Sequence, residues 1–119
     1  MTDRVEGLSE VLANLNNAVN EIEKRTAAGL LEAGLHLERR SKALVPVDTG
    51  NLRASGYTRR SAELEVEVGY QASYAVFVHE NLEAKHTNGQ AKFLEQPLRE
   101  DAALMLEIIA RRARVDASA

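Results

Sequence analysis

The sequence contains no cysteine and no tryptophan, only two prolines, and few aromatic residues of any kind (4%). Without cysteine, disulfides, thiolate metal ligands and cysteine nucleophiles are excluded, and a reducing cytoplasm is the natural place of synthesis. With so few rings, the core must rest on Leu, Val, Ile and Ala. Positive charge is also scarce. Fifteen Lys and Arg against 18 Asp and Glu give a net charge of −3, the reverse of the excess with which dedicated nucleic-acid binders hold phosphate. No apolar run approaches the roughly 20 residues a membrane span requires. The start, Met1-Thr2-Asp3-Arg4, lacks the basic-then-apolar pattern of a secretion signal.

What is present fits one α+β domain. The 119 residues are 45% hydrophobic and 28% charged, an ordinary globular balance with room for one modest core. Four stretches differ in pattern: a long helix over 1–44, a turn and sheet over 45–80, a polar loop over 81–92, and a C-terminal helix over 93–115 packed on the sheet.

Val5, Leu8, Leu12, Leu15, Val19 and Ile22 recur at alternating spacings of three and four, the a/d seam of an amphipathic helix. Asp3 and Glu6 suit a capping box at its start. The stripe blurs around Thr26–Gly29 and resumes at Leu30, Ala33 or Gly34, Leu37, Ser41 and Leu44. A single helix from Val5 to Leu44 would be roughly 60 Å long, more than a domain of this size spans. Either part of it projects and packs on a neighbour, or it breaks at Gly29 or Gly34, where each glycine costs about 1 kcal/mol. A long helix kinked near these glycines is the expected form. Pro46 stops it, because the residue before a proline is pushed out of helical geometry.

Leu64, Val66 and Val68 alternate with Glu63, Glu65 and Glu67, as in a half-buried strand. Ala54–Arg60 is the expected hairpin partner, with a turn at Arg60–Glu63, and Arg59 and Arg60 face the glutamates across strands. Tyr74–His79 makes a further apolar segment, strand or short helix, within a sheet of about three to four antiparallel strands. Pro97 fits the first turn of the closing helix. Leu98, Ala102, Met105 and Ile108 or Ile109 keep helical spacing, and Arg111, Arg112 and Arg114 complement its dipole.

Catalytic chemistry is sparse. His79, Glu80 and His86, with Glu83, are the only grouping suited to a metal, and their spacing matches no tight ligand motif. The serines lack a nucleophile elbow, and there is no glycine-rich phosphate cradle. No cofactor is expected. Charge, by contrast, is segregated. Residues 39–60 carry Arg39, Arg40, Lys42, Arg53, Arg59 and Arg60 against Asp48. Residues 61–100 carry Glu63, Glu65, Glu67, Glu80, Glu83, Glu95 and Glu100 against Lys85, Lys92 and Arg99. Opposed regions favour head-to-tail contact between copies; intramolecular pairing is the equal alternative. A DNA-facing patch of Arg53, Arg59 and Arg60 is a third.

The run Val45-Pro46-Val47-Asp48-Thr49-Gly50-Asn51-Leu52-Arg53-Ala54-Ser55 resembles the P-x-D-T-G-x-L-R-x-S signature of small neck proteins of long-tailed bacteriophages. This family of tail-component, minor capsid and tail-completion proteins has the lambda tail-completion protein Z as a relative. Val66–Gly69 with Tyr74–Glu80 resembles the family's second block, and Lys92–Leu98 its third, in the same order. The sequence departs from the pattern where His79-Glu80-Asn81-Leu82-Glu83 replaces Glu-x-Gly-Thr, and where Lys92 replaces a proline before Phe93.

Physically, the first block is a corner: Pro46 stops the helix, Asp48 caps a turn that passes through Thr49, Gly50 permits a reversal, and Leu52 returns to the core. Arg53 is left outward as the motif's candidate for binding. The resemblance implies a virion structural protein, not an enzyme: a homo-oligomeric ring (a hexamer as the working expectation) at the head–tail junction. Head connector and tail-terminator proteins would be its partners, DNA would be present only as channel content, and no membrane would be involved. Candidate interface residues are Arg53, Arg59, Arg60, Glu63, Glu65, Glu67, His79, Glu80, Glu83, His86 and Phe93. The polar loop is the segment expected to order on contact, and the a/d seam is expected to pack between subunits or on the sheet.

Overall fold

A computed structural model describes residues 2–46, 50–82 and 89–114, with side chains from Gly7 onward. The expected capping box therefore lies outside the described side chains. Helix α1 (Thr2–Leu44) is followed by a short α2 (Asn51–Ala54), strands β1 (Gly56–Ala62) and β2 (Glu65–Tyr70), then α3 (Ala75–Glu80), α4 (Glu95–Glu100) and α5 (Ala102–Ala113). The α+β class is as the patterning implied. The sheet is smaller: β1 and β2 form a two-stranded antiparallel hairpin, where three to four strands were expected.

The difference arises from two short segments. Leu52–Ala54 coils into α2, with Ala54 N–H donating to the Gly50 carbonyl at 3.0 Å. Tyr74–His79 turns into α3, with Val78 N–H donating to the Tyr74 carbonyl at 3.2 Å. A six-residue apolar run has no periodicity that separates strand from helix. The hairpin reverses at Glu63 and Leu64, and its register shifts between Arg60 and Ala62. That shift moves Leu64 out of the strand and leaves it exposed, where an inward position was expected.

No break interrupts α1 at Gly29 or Gly34. Both glycines serve close approach instead. A Cβ at Gly29 would stand 2.9 Å from the Ile109 Cα of α5, and one at Gly34 would stand 2.7 Å from Val66 Cγ1 and 2.9 Å from Thr58 Cγ2 of the hairpin. The second half of α1 is thus an axle with α5 on one side and the hairpin on another. Thr58, Arg60, Val66 and Val68 share the hairpin face that meets it, and the Thr58 hydroxyl donates to the Gly34 carbonyl at 3.2 Å.

Pro46 follows the end of α1 as expected, and the orphaned carbonyls of its last turn find donors. Val45 N–H donates to Ser41 O at 3.0 Å, Arg53 Nε to Lys42 O at 3.0 Å, and Gln90 N–H to Leu44 O at 2.8 Å. Gly50 has φ +77°, the left-handed conformation the corner requires; Asp48 and Thr49 lie outside the described residues. One core cluster (Val45, Leu52, Ala75 and Phe93) closes this end, and Ala33, Leu37 and Met105 form another between α1 and α5.

The closing helix is two helices, parted at Asp101. The carboxylate there accepts from His36 Nε2 at 2.7 Å and Arg40 Nε at 2.9 Å, which pins the junction to α1. The molecule measures 76 × 26 × 18 Å. The long axis is α1 itself, whose first half projects as a bare arm.

Candidate functional site

The two opposed charge regions of the middle of the chain are joined within the molecule by Arg59 with Glu67 and Arg40 with Glu100. On the outer face of the hairpin, Glu67 accepts from Tyr57 Oη at 2.8 Å and Arg59 Nε at 2.9 Å, while the Arg59 guanidinium lies 5.2 Å from the Tyr57 ring centre. These bonds, that from Tyr57 foremost, hold the Glu67 carboxyl below its usual range. Lys42 pairs with Glu38 at 3.1 Å, Arg99 with Glu95 at 3.1 Å, and Arg40 with Asp101 at 2.9 Å. Glu63 and Glu65 lie exposed at the hairpin turn and the start of β2.

The three arginines considered for DNA do not converge. Arg53 reaches back to the C-terminal turn of α1, Arg59 lies on the outer hairpin face, and the Arg60 guanidinium points inward, 3.5 Å from the Ala27 carbonyl. Arg53 therefore has a structural task, closing a helix end.

Around α3 the chemistry is denser. Glu95 N–H, at the start of α4, donates to His79 Nε2 at 3.2 Å, so this nitrogen carries no proton; the proton on Nδ1 faces Glu80 Oε1 at 2.9 Å. Nε2 thus ties α3 to the start of α4 while Nδ1 bonds within α3, and neither nitrogen is turned outward for a metal. His86 and Glu83 lie outside the described residues, and among the described residues no three His, Cys, Asp or Glu side chains gather as metal ligands. Glu80 pairs with Lys92, which together with His79 lowers its pKa.

Lys92 has φ +56°, and its N–H donates to His79 O at 2.8 Å. Proline fits neither condition, since its φ is fixed near −65° and it has no N–H. The departure from the family pattern at Lys92 thus goes with a left-handed re-entry of the loop. Phe93, an expected interface residue, belongs instead to the core at 1% exposure, its ring edge-on to Tyr70 (5.1 Å) and His79 (5.0 Å).

Two apolar surfaces stand out among the described residues. Val76 (74% exposed), Phe77 (70%), Tyr74 and Leu82 form a patch on and beside α3. It borders a shallow groove of about 200 Å³ lined by Tyr70, Ala75, Val76, His79, Glu80, Phe93 and Leu94. A six-residue helix turns only one side inward, here Ala75 and Val78, so the rest of the apolar run faces out. Resolving Tyr74–His79 as helix was the signal by which the sequence could have shown it. The second surface is the α1 arm, where Leu8 (60%), Leu12, Leu15, Val19 and Ile22 stand exposed together with Val11. The two surfaces lie at opposite ends of α1.

The family model HK97-gp10-like, described as "Bacteriophage HK97-gp10, putative tail-component", matches residues 9–80, from within the arm to the end of α3. No curated protein and no solved structure matches the chain.

Proposed function

From the premise that this chain belongs to the HK97-gp10-like family of bacteriophage tail components, we propose that it is a structural subunit joining head to tail. In this role it forms a ring around the DNA channel and docks to the head connector on one side and the tail terminator on the other. Its work is assembly, with no chemical step.

The observation carrying this reading is the pair of unpartnered apolar surfaces at the two ends of a 76 Å molecule. Large exposed apolar patches on small proteins mark protein contacts, and an elongated subunit sticky at both ends is suited to bridging. No described helix is long and apolar enough to cross a membrane. In the ring, the α3 face (Val76, Phe77) meets the neighbouring subunit or the connector, and the hairpin's polar outer face lies at the rim.

The test is direct imaging. A tagged copy supplied in trans during phage growth should appear in purified virions as density at the junction of head and tail. Tag density confined to the capsid shell, the tail tip or the free protein pool would contradict the reading.

A further inference from the structure

The seam of α1 does not stop where the arm begins. It continues as Thr26, Gly29, Ala33, His36 and Arg40 at the same spacings of four and three, and there it is covered. Ile109 lies against Gly29, Met105 clusters with Ala33, and Asp101 binds His36 and Arg40. Helix α5 therefore runs antiparallel to α1 along the a/d groove and ends at Arg114, whose carbonyl accepts from Arg25 at 2.9 Å. From Ile22 back to Leu8 the same groove is open.

Something must cover it for the arm to persist. About 35 Å of helix stands alone, with Gly7, Asn14, Asn16, Asn17 and Asn20 among its residues, all poor helix formers. A helix of this length and composition is marginal in water without a packed face.

We infer that the arm of a second copy fills this groove, antiparallel to the first and in line with α5, in a two-fold symmetric contact. The open stretch of the seam is complementary to its own reverse: Leu12 faces Leu15 and Leu8 faces Val19, with no polar residue at a seam position from Leu8 to Ile22. In this register the partner's first turn arrives beside the end of α5. A cleft lined by Lys24, Arg25, Ala28, Arg111 and Arg112 opens there. The incoming end of the arm is acidic in sequence, with Asp3, Glu6 and Glu10 against Arg4. The positive end of the incoming helix also meets the negative end of α5. Parallel pairing is blocked, because a parallel partner would run on past Arg25 into the groove α5 already occupies. The antiparallel pair keeps the packed portions of the two copies (α1 from Thr26 onward with the hairpin and α5) at opposite ends and both α3 faces free. This pairing is the state of the free protein before it enters the ring, does not rest on the head–tail reading and is tested on purified protein alone.

Sedimentation equilibrium across the micromolar range should give twice the chain mass, and Leu12→Glu with Leu15→Glu should return it to one chain mass while hydrogen exchange in the hairpin and α5 is unchanged. The absence of native cysteine permits a register test. A mixture of the Leu8→Cys and Val19→Cys variants should cross-link under oxidation, whereas Leu8→Cys alone should not. A monomer at all concentrations, cross-linking of Leu8→Cys to itself, or loss of the dimer through Val76→Asp instead of the arm variants would overturn the inference.

Discussion

Gly34 of α1 faces Val66 of β2 so closely that a Cβ on the glycine would stand 2.7 Å from the valine Cγ1. The helix backbone meets the side chains of Val66 and Thr58 directly, and the absence of a side chain on the glycine permits it. Gly34→Ala removes a helix penalty of about 1 kcal/mol but forces the hairpin away from α1. Overpacking of this kind costs about 1–3 kcal/mol, so the expected outcome is net destabilisation. Urea unfolding measures it: a lower midpoint with an unchanged slope is the predicted result, and a higher midpoint would show that the contact yields freely.

Asp101 supplies a pH dependence. Its carboxyl is held below the usual range, first by the bond from His36 and then by Arg40, against an opposing effect of burial. A carboxyl whose folded pKa lies below its unfolded one adds stability that is fully present above the unfolded value and is lost as pH falls through the folded one. Stability should therefore decline below about pH 4. Asp101→Asn should lower stability at neutral pH and flatten that decline. Unfolding midpoints at pH 7 and pH 3 for both proteins give the comparison.

Much of this was legible in the sequence, and the failures have physical causes. The alternation of Val66 and Val68 with the glutamates located β2, and Pro46 located the end of α1. The break at Asp101 was hidden, because it is held by His36 and Arg40, more than sixty residues away in sequence. Gly29 and Gly34 look like helix breakers until the elements packed on them are known. Phe93 follows a polar loop and was read as surface, yet Tyr70 and His79 enclose it. The arm was legible as a seam; that α5 covers only its continuation was not.

Arg53 is expected to matter for stability through the end of α1. Arg53→Ala removes the donor to the Lys42 carbonyl, at about 1 kcal/mol. Hydrogen exchange should quicken at the amides of Leu44 and Val45 while the hairpin is unaffected. Loss of assembly with no change in exchange there would instead give Arg53 a direct contact role.

Val76→Asp with Phe77→Asp should separate folding from assembly. Both side chains are exposed, so stability should stay within about 0.5 kcal/mol of the parent. Incorporation into particles should fall sharply, as scored by the chain's content in purified virions. Undiminished incorporation would remove the α3 face from the interface.

The most direct measurement is electron microscopy of lysates from phage that do not make this chain. Filled heads and finished tails should accumulate apart, and purified protein added to the lysate should join them into infectious particles. Joined particles in its absence, or separate parts that the added protein fails to connect, would contradict a role in uniting head and tail.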